Sequence, residues 1–231
     1  MPSLPPAIHL EYQAAGDGAL VVGLHDIGRD SAGMMKLLKP LSRNHRVVVP
    51  DLRGHGASPV PEGPWSVDDF SSDVARLVAS EGGDAIIVGV GLGAATAIAL
   101  ALGHPGLASG LVLSGIGARA EDPDGRDRWA RIARALRERG DEGVALSAEA
   151  MGSRPDWRGA LVQVDASAVV LAGARDRVAP PAVQRELAAW MPGTRFETLA
   201  GVGHDVVTRR PKEILQAIRA LETAERHSVA A

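Results

Sequence analysis

The 231 residues include 45% hydrophobic side chains, 27 glycines and 15 prolines, enough apolar surface for one large core and enough turn residues for many short connections, so a single domain over residues 1–231 is expected. A formal net charge of -3 excludes the clustered basic excess of a nucleic-acid surface, and the absence of cysteine excludes a disulfide framework, a thiolate nucleophile and cysteine metal ligands. Residues 1–8 lack a charged stretch leading into an apolar one, and no run is long enough to span a bilayer, so a soluble cytoplasmic protein with no membrane partner is expected.

Taken in chain order, short β-branched runs alternate with longer helical patterns, the signature of crossover units around a mainly parallel sheet. Ala7 to Gln13 reads as an edge strand, Ala19 to His25 as a buried one and Arg46 to Asp51 as the next. Asp84 to Gly89 reads as the central strand, because a run this apolar must be covered on both faces. Ser31 to Leu41 and Val67 to Ser80 have helical spacing. The second half continues with strands at Gly110 to Ser114, Ala166 to Gly173 and Arg195 to Leu199, and a closing helix from Pro211 to about Glu225, after which the tail His227 to Ala231 is expected to fray. Residues 118–164 interrupt the alternation with charged helical sequence. Trp129, Ile132 and Leu136 share one face there, which reads as packing on the body of the fold. An insertion at this place would lie over the carboxyl ends of parallel strands, where ligands bind, and is read as a small helical cap.

Strand Asp84 to Gly89 runs into Gly89-Val90-Gly91-Leu92-Gly93 and then a helix. Two motifs compete for this turn. Gly89, Gly91 and Ala94 satisfy the dinucleotide pattern G-x-G-x-x-G/A, but that motif should open its domain and be followed about 20 residues later by an acid at the end of the next strand. Here three strands precede it, and the next strand ends in Leu113-Ser114-Gly115. The context favours the nucleophile elbow, G-x-S-x-G, with Gly91 in the serine's place. In that arrangement an acid and a histidine follow later in the chain, each just after a strand. Asp176 follows strand Ala168 to Gly173, and His204 follows strand Arg195 to Leu199. Each has a plain alternative on its own, Asp176 as a helix cap before Pro180 and His204 as a surface histidine, but their joint placement points to a dyad in which Asp176 orients His204 as general base and acid.

On these residues the chain resembles the α/β-hydrolase superfamily over roughly residues 15–222, and among its branches the short-capped esterases, enol-lactonases and C–C-bond hydrolases. Leu24-His25-Asp26-Ile27-Gly28 resembles the family's H-G-x-G oxyanion loop, and Asp51-Leu52-Arg53-Gly54-His55-Gly56-Ala57-Ser58 resembles its D-x-R-G-x-G-x-S turn. The resemblance implies an α/β-hydrolase fold and an oxyanion hole made by the backbone N–H groups of Ile27 and Leu92. It also implies a small, apolar substrate of ester, lactone or activated-carbonyl type. His25, Asp26, Ser114, Trp129, Met151 and Trp157 are candidate pocket residues.

Two departures stand out. Asp26 replaces the usual glycine and sets a carboxylate beside the developing oxyanion, which it would oppose unless turned away or paired, for instance with Arg29. Gly91 keeps the elbow conformation but supplies no hydroxyl for an acyl-enzyme. Ser114 is the nearest candidate replacement by position, while Ser31 and Ser58 read as turn caps. The expectation is therefore a hydrolase working through the His204–Asp176 dyad without a serine. The open alternatives are a base-catalysed lyase, isomerase or cyclase, a non-catalytic ligand-binding protein, and a chain in which glycine has replaced a parental serine. No cofactor or metal is expected, since the seven histidines show no paired ligand spacing. The assembly expected is a monomer or homodimer.

Overall fold

The computed structural model describes residues 7–229. Its centre is a seven-stranded sheet in the order β1–β3–β2–β4–β5–β6–β7, formed by β1 (Tyr12–Ala15), β2 (Ala19–Leu24), β3 (His45–Pro50), β4 (Ala85–Val90), β5 (Ala108–Ser114), β6 (Ser167–Gly173) and β7 (Arg195–Leu199). Only β1 is antiparallel to its neighbour; every other pairing is parallel. This is the α/β-hydrolase fold the motifs implied.

Alternation along the strands builds two cores. Val21, Val47, Val49, Ile86, Val88, Val112, Val169 and Leu171 face α1 (Ser31–Leu38) and α8 (Pro211–Val229), together with the short α7 (Val206–Arg209). Their sequence neighbours Leu20, Val22, Leu24, Val48, Ile87, Leu111, Leu113 and Val170 face α2 (Val67–Ser80), α3 (Leu92–Gly103) and α6 (Pro181–Trp190). Strand β4, fourth of seven, is buried along its whole length, as its unbroken apolar run requires.

The differences from the sequence reading have local causes. Residues 7–11 are not a strand, because side chains satisfy their backbone: Ile8 N donates to Asp73 Oδ1 and Glu11 N to Ser58 Oγ, and pairing with β3 begins only at Tyr12. Helix α1 ends at Leu38, and Pro40 turns the next five residues into a 3-10 turn, Lys39–Arg43. Asp84 has a positive φ of 52° and stays in the turn before β4. The closing helix continues past Glu225 to Val229, and Ala230 and Ala231 of the expected frayed tail lie outside the described residues, as do Met1 to Pro6 of the N-terminal segment. Between β5 and β6 lie α4 (Pro123–Arg137) and α5 (Glu142–Gly152), a helical pair joined through Ala133, Ala145 and Ala148. No helix among the described residues is long and apolar enough to cross a membrane.

Candidate active site

The turn between β4 and α3 places Gly91 at φ 53° and ψ -113°, a conformation that costs an L side chain strain and glycine little. Its neighbours hold it tightly. Gly91 N donates to the Ser114 carbonyl at 3.0 Å, and an added Cβ on Gly93 would overlap the Leu24 and His25 carbonyls. The elbow is therefore locked against β2 and β5.

Opposite it, two buried histidines fix the loop after β2. His25 donates through Nδ1 to the Asp26 carbonyl and accepts the Leu52 N–H at Nε2, 2.8 and 3.0 Å away. His55 donates through Nδ1 to the Arg53 carbonyl at 3.0 Å and accepts the Gly28 N–H at Nε2, also at 3.0 Å. Burial and the neighbouring His55 push His25 down to about 4, and burial lowers His55 as well, so both rings are neutral at physiological pH and each can donate and accept. The Asp51-to-Ser58 turn is pinned in its own right: Asp51 accepts from Ser31 N and Ala57 N, and Ser58 Oγ donates to the Asp51 carbonyl at 2.5 Å. Ser58 is thus a turn-fixing hydroxyl, whereas Ser31 holds the turn through its backbone N–H and its Oγ accepts from Gln13 Nε2. The DLRGHGAS motif gave no hint that His55 would reach across to the loop at Gly28.

The two backbone N–H groups expected as an oxyanion hole do converge, and their common point is already filled. Asp26 Oδ1 accepts from Ile27 N at 2.8 Å and from Leu92 N at 3.0 Å. The carboxylate is neither turned away nor paired with Arg29. Its other oxygen, Oδ2, lies 3.2 Å from His204 Nε2. A Cβ on residue 91 would overlap Asp26 Oδ1 outright and stand 2.5 Å from its Cγ. The missing side chain of Gly91 is the space the Asp26 carboxylate occupies.

On the far side of the ring, His204 Nδ1 donates to Asp176 Oδ2 at 2.9 Å. The Asp176 side chain is fully buried. Its Oδ1 accepts from Val178 N and Ala179 N, and its Oδ2 also accepts from Gln184 Nε2. Gln184, which lacks any sequence motif, bridges Asp176 to the Gly115 N–H through its Oε1. Gly115, at φ 72°, lies under the imidazole; a Cβ there would meet His204 Cε1 at 2.6 Å. Burial alone would lower the pKa of His204, but hydrogen bonds to Asp176 and Asp26 and their charges push it up to about 10. Burial opposes ionisation of Asp176, yet the His204 hydrogen bond leads the contacts that hold it below the usual carboxylate range. At neutral pH the ring is an imidazolium between two carboxylates.

Two cavities meet at Asp26, Gly28 and His204. One, of about 380 Å³, is walled by Gly91, Trp129, Ile132, Leu136, Val144 and Met151, so the α4 face expected to pack on the body lines this space as well, with the candidate pocket residues Trp129 and Met151 in its wall. The other, of about 420 Å³, is more polar and includes His25, Arg29, Asp30, Asp205 and Thr208. Trp157 and Ser114 line neither. Trp157 is buried in the core with Arg154 stacked 5.7 Å from its ring, and Ser114 is buried at the end of β5. Among the described residues no group of three His, Asp or Glu is arranged to hold a metal ion.

A model of the alpha/beta hydrolase family matches residues 21–153. In sequence the chain is similar to the 2-(acetamidomethylene)succinate hydrolase of Mesorhizobium japonicum, 34% identical over 106 residues, which cover 46% of this chain and 38% of that protein. The chain thus matches little more than a third of that relative's length. Among solved structures it is similar to a thermophilic esterase from Thermogutta terrifontis, with a TM-score of 0.87, 26% identity and 93% of each chain covered. The enol-lactonase of Burkholderia xenovorans gives a TM-score of 0.82 at 24% identity over 93% of this chain and 96% of that one, a likeness of fold.

Proposed function

The chain belongs to the alpha/beta hydrolase family, and on that premise we propose that it hydrolyses a small, mainly apolar electrophile without a serine acyl-enzyme, using Asp26, His204 and Asp176 as its reacting groups. The observation that carries this reading is the Asp26 carboxylate seated on the Ile27 and Leu92 N–H groups and against His204 Nε2. In the serine arrangement that space belongs to the nucleophile and the substrate oxyanion. Here the protein fills it with its own anion. His204 begins the cycle protonated, so it is an acid first, and it becomes a base once Asp26 loses its charge or its contact. Asp176 keeps the ring oriented throughout, and the apolar wall formed by α4 and α5 acts as the cap over the substrate. Water and these three groups supply the nucleophile, acid and base that hydrolysis needs.

A second reading keeps the ester, lactone or activated-carbonyl substrate that the resemblance implied. Asp26 then swings out, the substrate carbonyl enters the hole, and the His204–Asp176 dyad activates water directly. The likeness to the Thermogutta esterase favours it.

Turnover of a panel of activated short-chain acyl esters, medium-ring lactones, 1-bromoalkanes and terminal epoxides separates these. At least one class should be hydrolysed by the parent, with activity lost in His204→Asn and in Asp26→Asn. Ester turnover that survives Asp26→Asn supports the second reading. Binding without turnover, unchanged by His204→Ala, overturns both in favour of a ligand-binding role.

A further inference from the structure

The two cavities that meet at Asp26, Gly28 and His204 differ in what they offer a water molecule. On the apolar side the backbone donors are taken, Gly28 N by His55, Gly115 N by Gln184 and Gly91 N by the Ser114 carbonyl. The wall of Trp129, Ile132, Leu136, Val144 and Met151 gives water no partner, and a water held inside a protein needs several. The cavity of about 420 Å³ on the other side is bordered by Arg29, Asp30, Asp205 and Thr208 as well as by Asp26 and His204. Asp30 uses only Oδ1, on Ala32 N, and Asp205 and Thr208 bond one another. The Arg29 guanidinium donates to no acceptor among the described residues, so donor and acceptor positions remain there for water.

Gly33 on the same wall agrees with this division. It is the third residue of α1, exposed, with no positive φ, and a Cβ added to it would meet nothing within 4 Å. Neither backbone nor packing calls for glycine, and glycine inside a helix weakens it relative to alanine. What the missing side chain leaves is an unobstructed cavity, backed by the buried Met34 and Val207.

We propose that the polar cavity is the water site of this enzyme: the hydrolytic water is held among Arg29, Asp30, Asp205 and Thr208 and reaches Asp26 and His204 from that side, while the organic substrate occupies the apolar cavity. This rests on the reading of Asp26, His204 and Asp176 as the reacting groups of a hydrolysis. A substrate that fills the apolar cavity expels the water there, and with a single entrance it would obstruct its own hydrolysis. Two entrances on either side of the Asp26–His204 pair remove that conflict. The charged border of the polar cavity also disfavours an apolar chain, which would have to desolvate it.

The chain has no cysteine, so an introduced thiol can be labelled alone. Gly33→Cys places one on the wall of the polar cavity and Ile132→Cys one on the wall of the apolar cavity, both at exposed positions. Each is blocked with benzyl methanethiosulfonate, singly and together in the double variant, and exchange of the His204 Nε2–H with water is followed by NMR at pH 7. The label at residue 132, standing in for substrate, should leave exchange within about twofold of the unlabelled protein, and adding the label at residue 33 should slow it about tenfold or more, with recovery on reduction by dithiothreitol. Slow exchange with the label at residue 132 alone, or no slowing in the doubly labelled protein, overturns the proposal. For whichever class of the ester, lactone, bromoalkane and epoxide panel the parent hydrolyses, the label at residue 33 alone should lower kcat about tenfold without raising KM. A raised KM with kcat unchanged would mean that this cavity holds substrate, and overturns it too. If exchange follows the expected pattern and the parent turns over none of the panel, the hydrolase reading falls while the water site stands.

Discussion

Replacing Gly91 with alanine or serine should do more than strain a turn. The new Cβ would stand 2.5 Å from Asp26 Cγ and overlap Oδ1, so the carboxylate must leave its seat. It then loses two hydrogen bonds from backbone N–H groups, worth roughly 1.5–3 kcal/mol each when one partner is charged. Partial rehydration offsets some of this, since the Asp26 side chain is 21% exposed. Backbone strain at φ 53° adds about 1 kcal/mol for an L residue. The net expectation is a loss of about 3–4 kcal/mol for Gly91→Ala, read by urea unfolding at pH 7. Asp26→Gly empties the seat, so Gly91→Ser in that background should lose about 1 kcal/mol, the strain alone. The resulting coupling of about 2–3 kcal/mol would be the signature of two residues sharing one space. The same double variant rebuilds the serine arrangement, and it alone should hydrolyse an activated short-chain acyl ester with a burst of acyl-enzyme. If Gly91→Ala is as stable as the parent, or if the two substitutions add independently, Asp26 does not occupy the hole.

Stability should peak near neutral pH. His204 is raised from 6.5 to about 10, so its contribution, on the order of 4 kcal/mol, is full below pH 6.5 and lost as pH rises towards 10. His25 is lowered from 6.5 to about 4, so its roughly 3 kcal/mol is full above pH 6.5 and lost as pH falls towards 4. Unfolding free energies measured from pH 4 to 10 should show both limbs, and His204→Asn should flatten the alkaline one. Asp176→Asn should reduce turnover by on the order of 10²–10⁴ while leaving substrate affinity near the parent value, because the amide cannot hold an imidazolium. Trp129→Ala opens the apolar wall and should raise KM more than it lowers kcat in steady-state assays. Arg53 is buried against Asp73 and Asp69 and stacked on Trp65 and Phe70, so Arg53→Met should cost about 3–5 kcal/mol by leaving Asp73 buried without its cation.

Much of the frame was legible because its signals are local. Helix Val67–Ser80 announces itself through apolar spacing, and its capping box is built from Ser66 and Asp69; strand Arg195–Leu199 is bounded by turn residues at both ends. The hydrogen-bonded pair was legible for a different reason, since the chain order of acid and histidine after two strands brings Asp176 and His204 to the same sheet edge. What the sequence hid was pairing across loops. Asp26 and Gly91 each stood out as a departure, but only the facing of loop 24–28 against turn 89–93 makes one the occupant of the other's vacated volume. Gln184 carries no motif and sits on a helix face like any core-facing polar residue, so its bridge from Asp176 to Gly115 had no signal at all. Trp157 misled in the opposite direction, because spacing within residues 118–164 gives no rotation, and its ring turns into the core.

In the proposed site the Asp26 carboxylate stands where a serine hydroxyl and its oxyanion would stand, clamped to a protonated His204. NMR titration of the His204 imidazole in the parent and in Asp26→Asn tests it most directly. An imidazolium should persist well above pH 8 in the parent, and its titration should move several-fold or more in proton affinity towards neutrality when the charge at residue 26 is removed. A ring that titrates near its ordinary 6.5 in the parent, unchanged by Asp26→Asn, would contradict it.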